Sequence, residues 1–327
     1  MQEFTHPISD LHCDLLLYLA IVPNAHINET KDIGVTLPYM QAGGVRHQVV
    51  AVFGKTDKLS VDWGAKQLQA YQELLQQDEF YACTEASDIE HPAEGIGLTL
   101  AIENASVLAL EDEPLEQVFS RLDQFLSIGK RLFYITLTHH TENRFGGGNY
   151  SDVGLKPDGE ALLSYMAEHR ITVDLSHTSD ALAEDILNYI DRRNLKLPLI
   201  ASHSNFRRLR DHPRNLTNEI VQEIVRRKGL IGANFLRLFL DGAHAESLLA
   251  HIQYGLAHAP DCMAFGADFF YRPAISAPER QPLFFTEYED AGQYPKILQQ
   301  LAERGINPEA LQKLAHENVQ RFMRENW

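Results

Sequence analysis

The sequence predicts a (β/α)8 TIM barrel, and three observations carry that reading. Eight strand-like stretches alternate with helical ones along 327 residues, the pattern of a parallel sheet covered by helices. No Pro/Gly/Ser-rich linker interrupts the alternation, so a chain larger than the usual single core reads as one large unit over residues 1–327 rather than two small ones. Almost every strand-like stretch ends in a residue able to bind a metal or move a proton, as expected where such ends converge on one mouth. A doubly wound open sheet is the alternative, but no nucleotide-binding glycine fingerprint follows any strand.

The stretch 10–14, Asp10-Leu11-His12-Cys13-Asp14, opens the barrel as a strand. Side chains alternate along a strand, so Asp10, His12 and Asp14 share one side and Leu11, Cys13 and Leu15 the other. An imidazole and a carboxylate two residues apart can chelate one divalent ion, and zinc accepts that mix of nitrogen and oxygen. Residues 44–54 follow as a buried strand, then 65–77 as a helix with Leu68, Tyr71, Leu74 and Leu75 on one face. The alternation continues with strand 97–103, helix 114–127, strand 131–139, helix 157–169, strand 171–177 and helix 180–193. Strand 197–203 precedes helix 218–228, for which Thr217 is the expected N-cap. Strand 230–235, a helix near 245–257 and strand 262–268 complete the barrel, and helices near 294–304 and 308–325 close the chain. The run Gly146-Gly147-Gly148-Asn149 lacks the Lys and Ser/Thr of a phosphate cradle and reads as a flexible loop over the barrel mouth.

The strand ends supply His12 and Asp14, Glu103, His139, His177, His203 and Asp268. A lone strand-end histidine is more often a hydrogen-bonded structural residue than a ligand. Seven such residues at one end of a barrel are a site. Asn234, near the end of the seventh strand, is a further residue that could face it, whereas the remaining histidines, His140 among them, receive no role.

Composition bounds the partners. With 29 basic and 45 acidic residues, the net charge of −16 argues against nucleic acid or an anionic membrane as partner. Residues 1–10 lack the basic and apolar regions of a signal peptide, 15–22 is too short to cross a bilayer, and 321–327 is too polar for a cleavable anchor tail. Cys13, Cys83 and Cys262 lie far apart without a CxxC pair, so the expected compartment is the reducing cytoplasm.

The ordered series Asp10-Leu-His12-Cys-Asp14, Ile102-Glu103, Leu137-Thr138-His139, Asp174-Leu175-Ser176-His177, Ser202-His203-Ser204, Arg214-Asn215 and Gly266-Ala267-Asp268 resembles the membrane (renal) dipeptidase family of the amidohydrolase superfamily. The resemblance implies an amidohydrolase-like barrel with additional C-terminal helices, two Zn2+ per chain, and a homodimer. It implies that His12 and Asp14 hold one ion, that His177 and His203 hold the other, and that Glu103 bridges both. Two cations lower the pKa of a shared water enough to give hydroxide near neutrality. In the family, the match of His139 reaches the scissile carbonyl oxygen, that of Asp268 shuttles the proton to the departing amine, and that of Arg214 binds the C-terminal carboxylate.

Two departures bear on the pocket. The family commonly continues its last catalytic Asp with Phe-Asp-Gly, where this chain has Asp268-Phe269-Phe270-Tyr271. The stretch after His139, His140-Thr-Glu142-Asn143-Arg-Phe-Gly-Gly-Gly, is richer in polar and glycine residues than the family's form. The expected function is a zinc-dependent dipeptidase acting on dipeptides with a free C-terminal carboxylate, L-Xaa-D-Xaa included. The alternatives are a binuclear amidohydrolase acting on an N-acyl amino acid, cyclic amide or lactone, and a non-catalytic metal-binding barrel.

Overall fold

The computed structural model describes residues 6–327; residues 1–5, part of the stretch read as free of a signal peptide, lie outside the described residues. Among the described residues nine parallel strands form one sheet: β1 (Ile8–Cys13), β2 (Val45–Phe53), β3 (Phe80–Ala82), β4 (Ile96–Glu103), β5 (Leu132–Thr136), β6 (Thr172–Asp174), β7 (Leu199–Ile200), β8 (Ile231–Ala233) and β9 (Met263–Phe265). Their order is β7-β6-β5-β4-β2-β1-β9-β8, and a bridge between Ala201 and Ile231 brings the two ends together into a nearly closed barrel of eight. The extra strand, β3, pairs with the start of β4 below the point where β5 joins it.

Helices cover the barrel where apolar periodicity predicted them, among them Ser60–Leu74, Leu115–Gly129, Pro157–Glu168 and Asp180–Arg193. Capping sets their starts: Ser179 accepts a hydrogen bond from Leu182 N, and Thr217 accepts one from Ile220 N to begin Asn218–Arg226. The last predicted helix is broken into Pro308–Gln312, a π-helical turn Lys313–Glu317, and Asn318–Asn326. The turn passes under the barrel, where His316 Nδ1 lies 2.8 Å from Ser9 Oγ. No helix of the described residues is long and apolar enough to cross a membrane.

Two expectations need correction. The later strands are shorter than their apolar runs: β7 has only two residues where 197–203 was expected. The chain leaves the ladder early because its next residues turn into the barrel mouth. The glycine run is also no free loop, since Gly147 O accepts from Ser179 N at 2.9 Å and Gly148 bridges Thr178. A Cβ on Gly148 would sit 2.2 Å from His139 O, so glycine is what lets this segment lie against the rim.

Candidate metal centre

His139, His177, His203 and Asp268 each stand three positions beyond a last strand residue, respectively Thr136, Asp174, Ile200 and Phe265. His12 and Glu103 lie within β1 and β4, and Asp14 follows β1 directly. His177 and Asp268 adopt the left-handed backbone, at φ 64° and 63°, a conformation costly for non-glycine residues that recurs at functional sites.

Two buried carboxylates hold the strand ends. Asp174 accepts from Ser176 N at 3.0 Å, Ser202 N at 2.8 Å, Thr136 Oγ1 at 2.7 Å and Ser202 Oγ at 2.6 Å, tying the ends of β5, β6 and β7. Asp10 accepts from His12 N at 2.9 Å, from Ala267 N at 3.3 Å and from the Tyr294 hydroxyl, tying β1 to β9. Asp10 thus spends its oxygens on two backbone amides and the Tyr294 hydroxyl, which leaves His12 and Asp14 as the members of that triplet facing the centre.

Glu103 sends its two oxygens in different directions. Oε2 lies 3.5 Å from His12 Nε2, while Oε1 lies 2.9 Å from His177 Nε2, 3.6 Å from His203 Nε2 and 3.8 Å from His139 Nε2. The result is two ligand groups that share this carboxylate, His12-Asp14-Glu103 and Glu103-His177-His203. His12 Nε2 also lies 3.6 Å from Asp268 Oδ1.

The hydrogen bonds behind the rings fit a cation. Ser202 Oγ donates to Asp174, so it accepts from His203 Nδ1 at 2.7 Å, and His203 Nε2 is left with its lone pair turned inward. His177 Nε2 lies 2.9 Å from that nitrogen. His12 Nδ1 lies 2.6 Å from Tyr134 Oη, which donates to Leu11 O at 3.2 Å. His12 Nε2 and Asp14 Oδ1 are buried with no hydrogen-bond partner among the described residues. Buried polar atoms of this kind carry a penalty unless something pairs with them.

Electrostatics agree. Burial pushes His139, His177 and His203 well below the usual histidine range, so they are neutral donors of lone pairs or N–H groups. Burial raises Glu103 to about 8 and Asp268 to about 6, and it raises Asp14 as well, with the charge of Glu103 adding to it. Three carboxyl groups crowded out of water and facing neutral imidazoles call for positive charge between them.

The centre opens into a cavity of about 470 Å3 with aromatic and aliphatic walls that include Phe53, Trp63, Phe239 and Phe270. His139 and Asp268 line it. Arg214 is buried behind this wall, its guanidinium 5.1 Å from the centroid of the Phe239 ring, with Nη1 3.2 Å from Ser204 Oγ, Nη2 3.0 Å from His203 O, and Nε without a partner among the described residues. Asn234 Nδ2 donates to Asp268 Oδ2 at 2.8 Å and to His203 O at 3.1 Å.

Sequence reasoning missed His140, which joins His139 and His177 in a third group and lines the cavity. Strand alternation turns it away from His139, but β5 stops at Thr136, so the alternation no longer applies. Asp174 and Tyr134 were missed too. Their signal was a polar group inside an apolar strand.

The chain is 27% identical over 212 residues to an uncharacterised dipeptidase of Schizosaccharomyces pombe, covering 62% of this chain and 48% of that protein. It is 27% identical over 201 residues to the dipeptidase tcpJ of Claviceps purpurea, covering 59% and 44%. The chain therefore spans about half the length of these relatives. Its fold is similar to that of a metallopeptidase from Rhodobacter sphaeroides liganded with a phosphinate mimic of the dipeptide L-Ala-D-Ala, with a TM-score of 0.82 and 20% identity over 98% of this chain and 99% of that one. A sequence model of the membrane dipeptidase family matches residues 3–326, and the chain belongs to that family, peptidase family M19.

Proposed function

We propose that this chain is a zinc-dependent dipeptidase that hydrolyses dipeptides with a free C-terminal carboxylate, including L-Xaa-D-Xaa. The observation that carries the reading is the divergence of the Glu103 oxygens towards two separate groups of ligand atoms at the floor of a cavity. On this reading His12 and Asp14 hold one ion, His177 and His203 hold the second, and Glu103 is common to both. Zinc suits a set of neutral imidazoles and carboxylates. Bound there, the two ions supply a water activated near neutral pH and positive charge beside the scissile carbonyl.

The chain's own residues do the rest. His139, half-buried and kept neutral because desolvation holds its pKa well below the usual histidine range, donates an N–H to the carbonyl oxygen as negative charge develops on it. Asp268 has one oxygen fixed by Asn234 and the other beside His12 Nε2. That free oxygen accepts the proton of the attacking water and returns it to the departing amine. Arg214 is held in place by Ser204 and the His203 carbonyl, and its remaining N–H edge binds the substrate carboxylate.

The same proposal reads residues 1–327 as one catalytic domain, supported by a family match over 3–326. It includes a homodimer, which sedimentation checks, and a cytoplasmic setting, supported by three free, buried cysteines.

The test is a library of L,L and L,D dipeptides with zinc-loaded protein, together with metal analysis. Two metal equivalents and turnover that requires a free C-terminal carboxylate are expected, and Arg214→Ala should erase the preference for the acid over its C-terminal amide. Turnover only of lactones or N-acyl amino acids would overturn the reading.

A further inference from the structure

We propose that Arg280 is a specificity-determining residue that binds a second carboxylate, on the side chain of the substrate's C-terminal residue, so that the preferred substrates are dipeptides ending in an acidic residue. This deepens the dipeptidase reading and rests on it.

Arg280 ends the short turn Pro278–Arg280, in the segment after β9. It lines the catalytic cavity and is half-buried. Its Nε is buried with no hydrogen-bond partner, and its guanidinium forms no ion pair among the described residues. A guanidinium drawn into a cavity with an open N–H edge matches a planar carboxylate. Its neighbour on the same segment, Arg272, is spent: it bonds Glu289 and the Lys31 carbonyl.

The segment is anchored. Arg280 N donates to Ala277 O at 3.1 Å, Gln281 Nε2 donates to Ile275 O at 2.6 Å, and Phe284 bridges Leu236 just after β8. Arg280 is therefore presented from a fixed backbone, which lowers the ordering cost of using it.

Position on the substrate follows from the turn after β8. Arg214 stands over the Phe239 ring, 5.1 Å from its centroid, and the segment that carries Arg280 is bridged through Phe284 to Leu236 of that same turn, so both guanidinia belong to this side of the cavity. If Arg214 takes the C-terminal α-carboxylate, Arg280 stands by the side chain of that same residue. Lys55, also in the lining, is accompanied there by Asp57 two residues on.

The experiment compares kcat/KM for L-Ala-D-Glu against L-Ala-D-Gln, and for the L,L pair, in zinc-loaded wild type, Arg280→Gln and Arg280→Lys. The acid and the amide have the same shape, so their ratio reports charge alone and is insensitive to partial misfolding. The expected ratio in wild type favours the acid by about 10–100-fold, the range of one charged hydrogen-bonded contact. It falls to near one in Arg280→Gln and is partly restored in Arg280→Lys. A wild-type ratio near one, or a ratio that survives Arg280→Gln, overturns the inference while leaving the dipeptidase reading intact. If no dipeptide is turned over, the dipeptidase reading fails, and calorimetric binding of the same pairs decides the role of Arg280: tighter binding of the acid that is lost in Arg280→Gln supports it, and equal or absent binding overturns it.

Discussion

Asp268 has one carboxylate oxygen occupied by Asn234 and the other open beside His12. Asp268→Asn keeps the shape and removes the proton acceptor, so kcat should fall by about 10²–10⁴-fold while metal analysis still finds two equivalents. Loss of metal in that variant would make Asp268 a ligand, consistent with its grouping with His12 and His203. His47 offers a pH test far from this chemistry. Its Nε2 lies 2.8 Å from Thr99 Oγ1, and burial lowers its pKa to about 3 from 6.5. The folded state binds this proton more weakly than the unfolded chain, so the contribution is complete above pH 6.5 and is lost as pH falls from there towards 3. Thermal melts of metal-saturated His47→Gln should show a shallower loss of stability across that window. At this scale the sequence was legible where residue chemistry is unambiguous, as at His12, Glu103 and His203. It offered Asn234 only as a residue that could face the site and gave Asp174 no role, because the importance of both lies in which donors and acceptors the fold brings to them.

The strands set where those residues can stand. Gly232 in β8 and Gly266 after β9 both press on the Ser202 carbonyl, and a Cβ on either would lie 1.8 and 1.9 Å from that oxygen. Gly266→Ala should cost about 3 kcal/mol, seen as a lowered denaturation midpoint, and should depress kcat because Ser202 backs His203. Helix positions were readable because capping is local: Thr217 announces a start that the structure keeps, and Ser179 and Asn307 cap two further helices in the same way. Strand ends were not readable. Leu137, Leu175 and Phe235 continue the apolar pattern beyond the ladder and are buried there all the same, so apolarity outlasts strand pairing.

For the whole molecule, the crowding of Asp14, Glu103 and Asp268 makes the folded state dependent on charge compensation at the mouth. On the two-zinc reading, metal at 1,000 times its Kd adds about 4 kcal/mol per site, and chelation should lower Tm on the order of 10 °C. An unchanged melt would mean that the carboxylates are satisfied without ions. The eightfold architecture was legible because alternation of strand and helix persists over the full length; its closure was not, since it depends on one bridge, Ala201 to Ile231. That bridge divides the ring unequally. One arc is built from strands of six, nine and eight residues, β1, β2 and β4, and the opposite arc from stubs of two or three, β6 to β9. The barrel is therefore a stiff trough with a compliant lip. Amide deuteration should invade the lip first, and because His177, His203 and Asp268 ride on it, the same softness that admits solvent lets half of the centre adjust around whatever it holds.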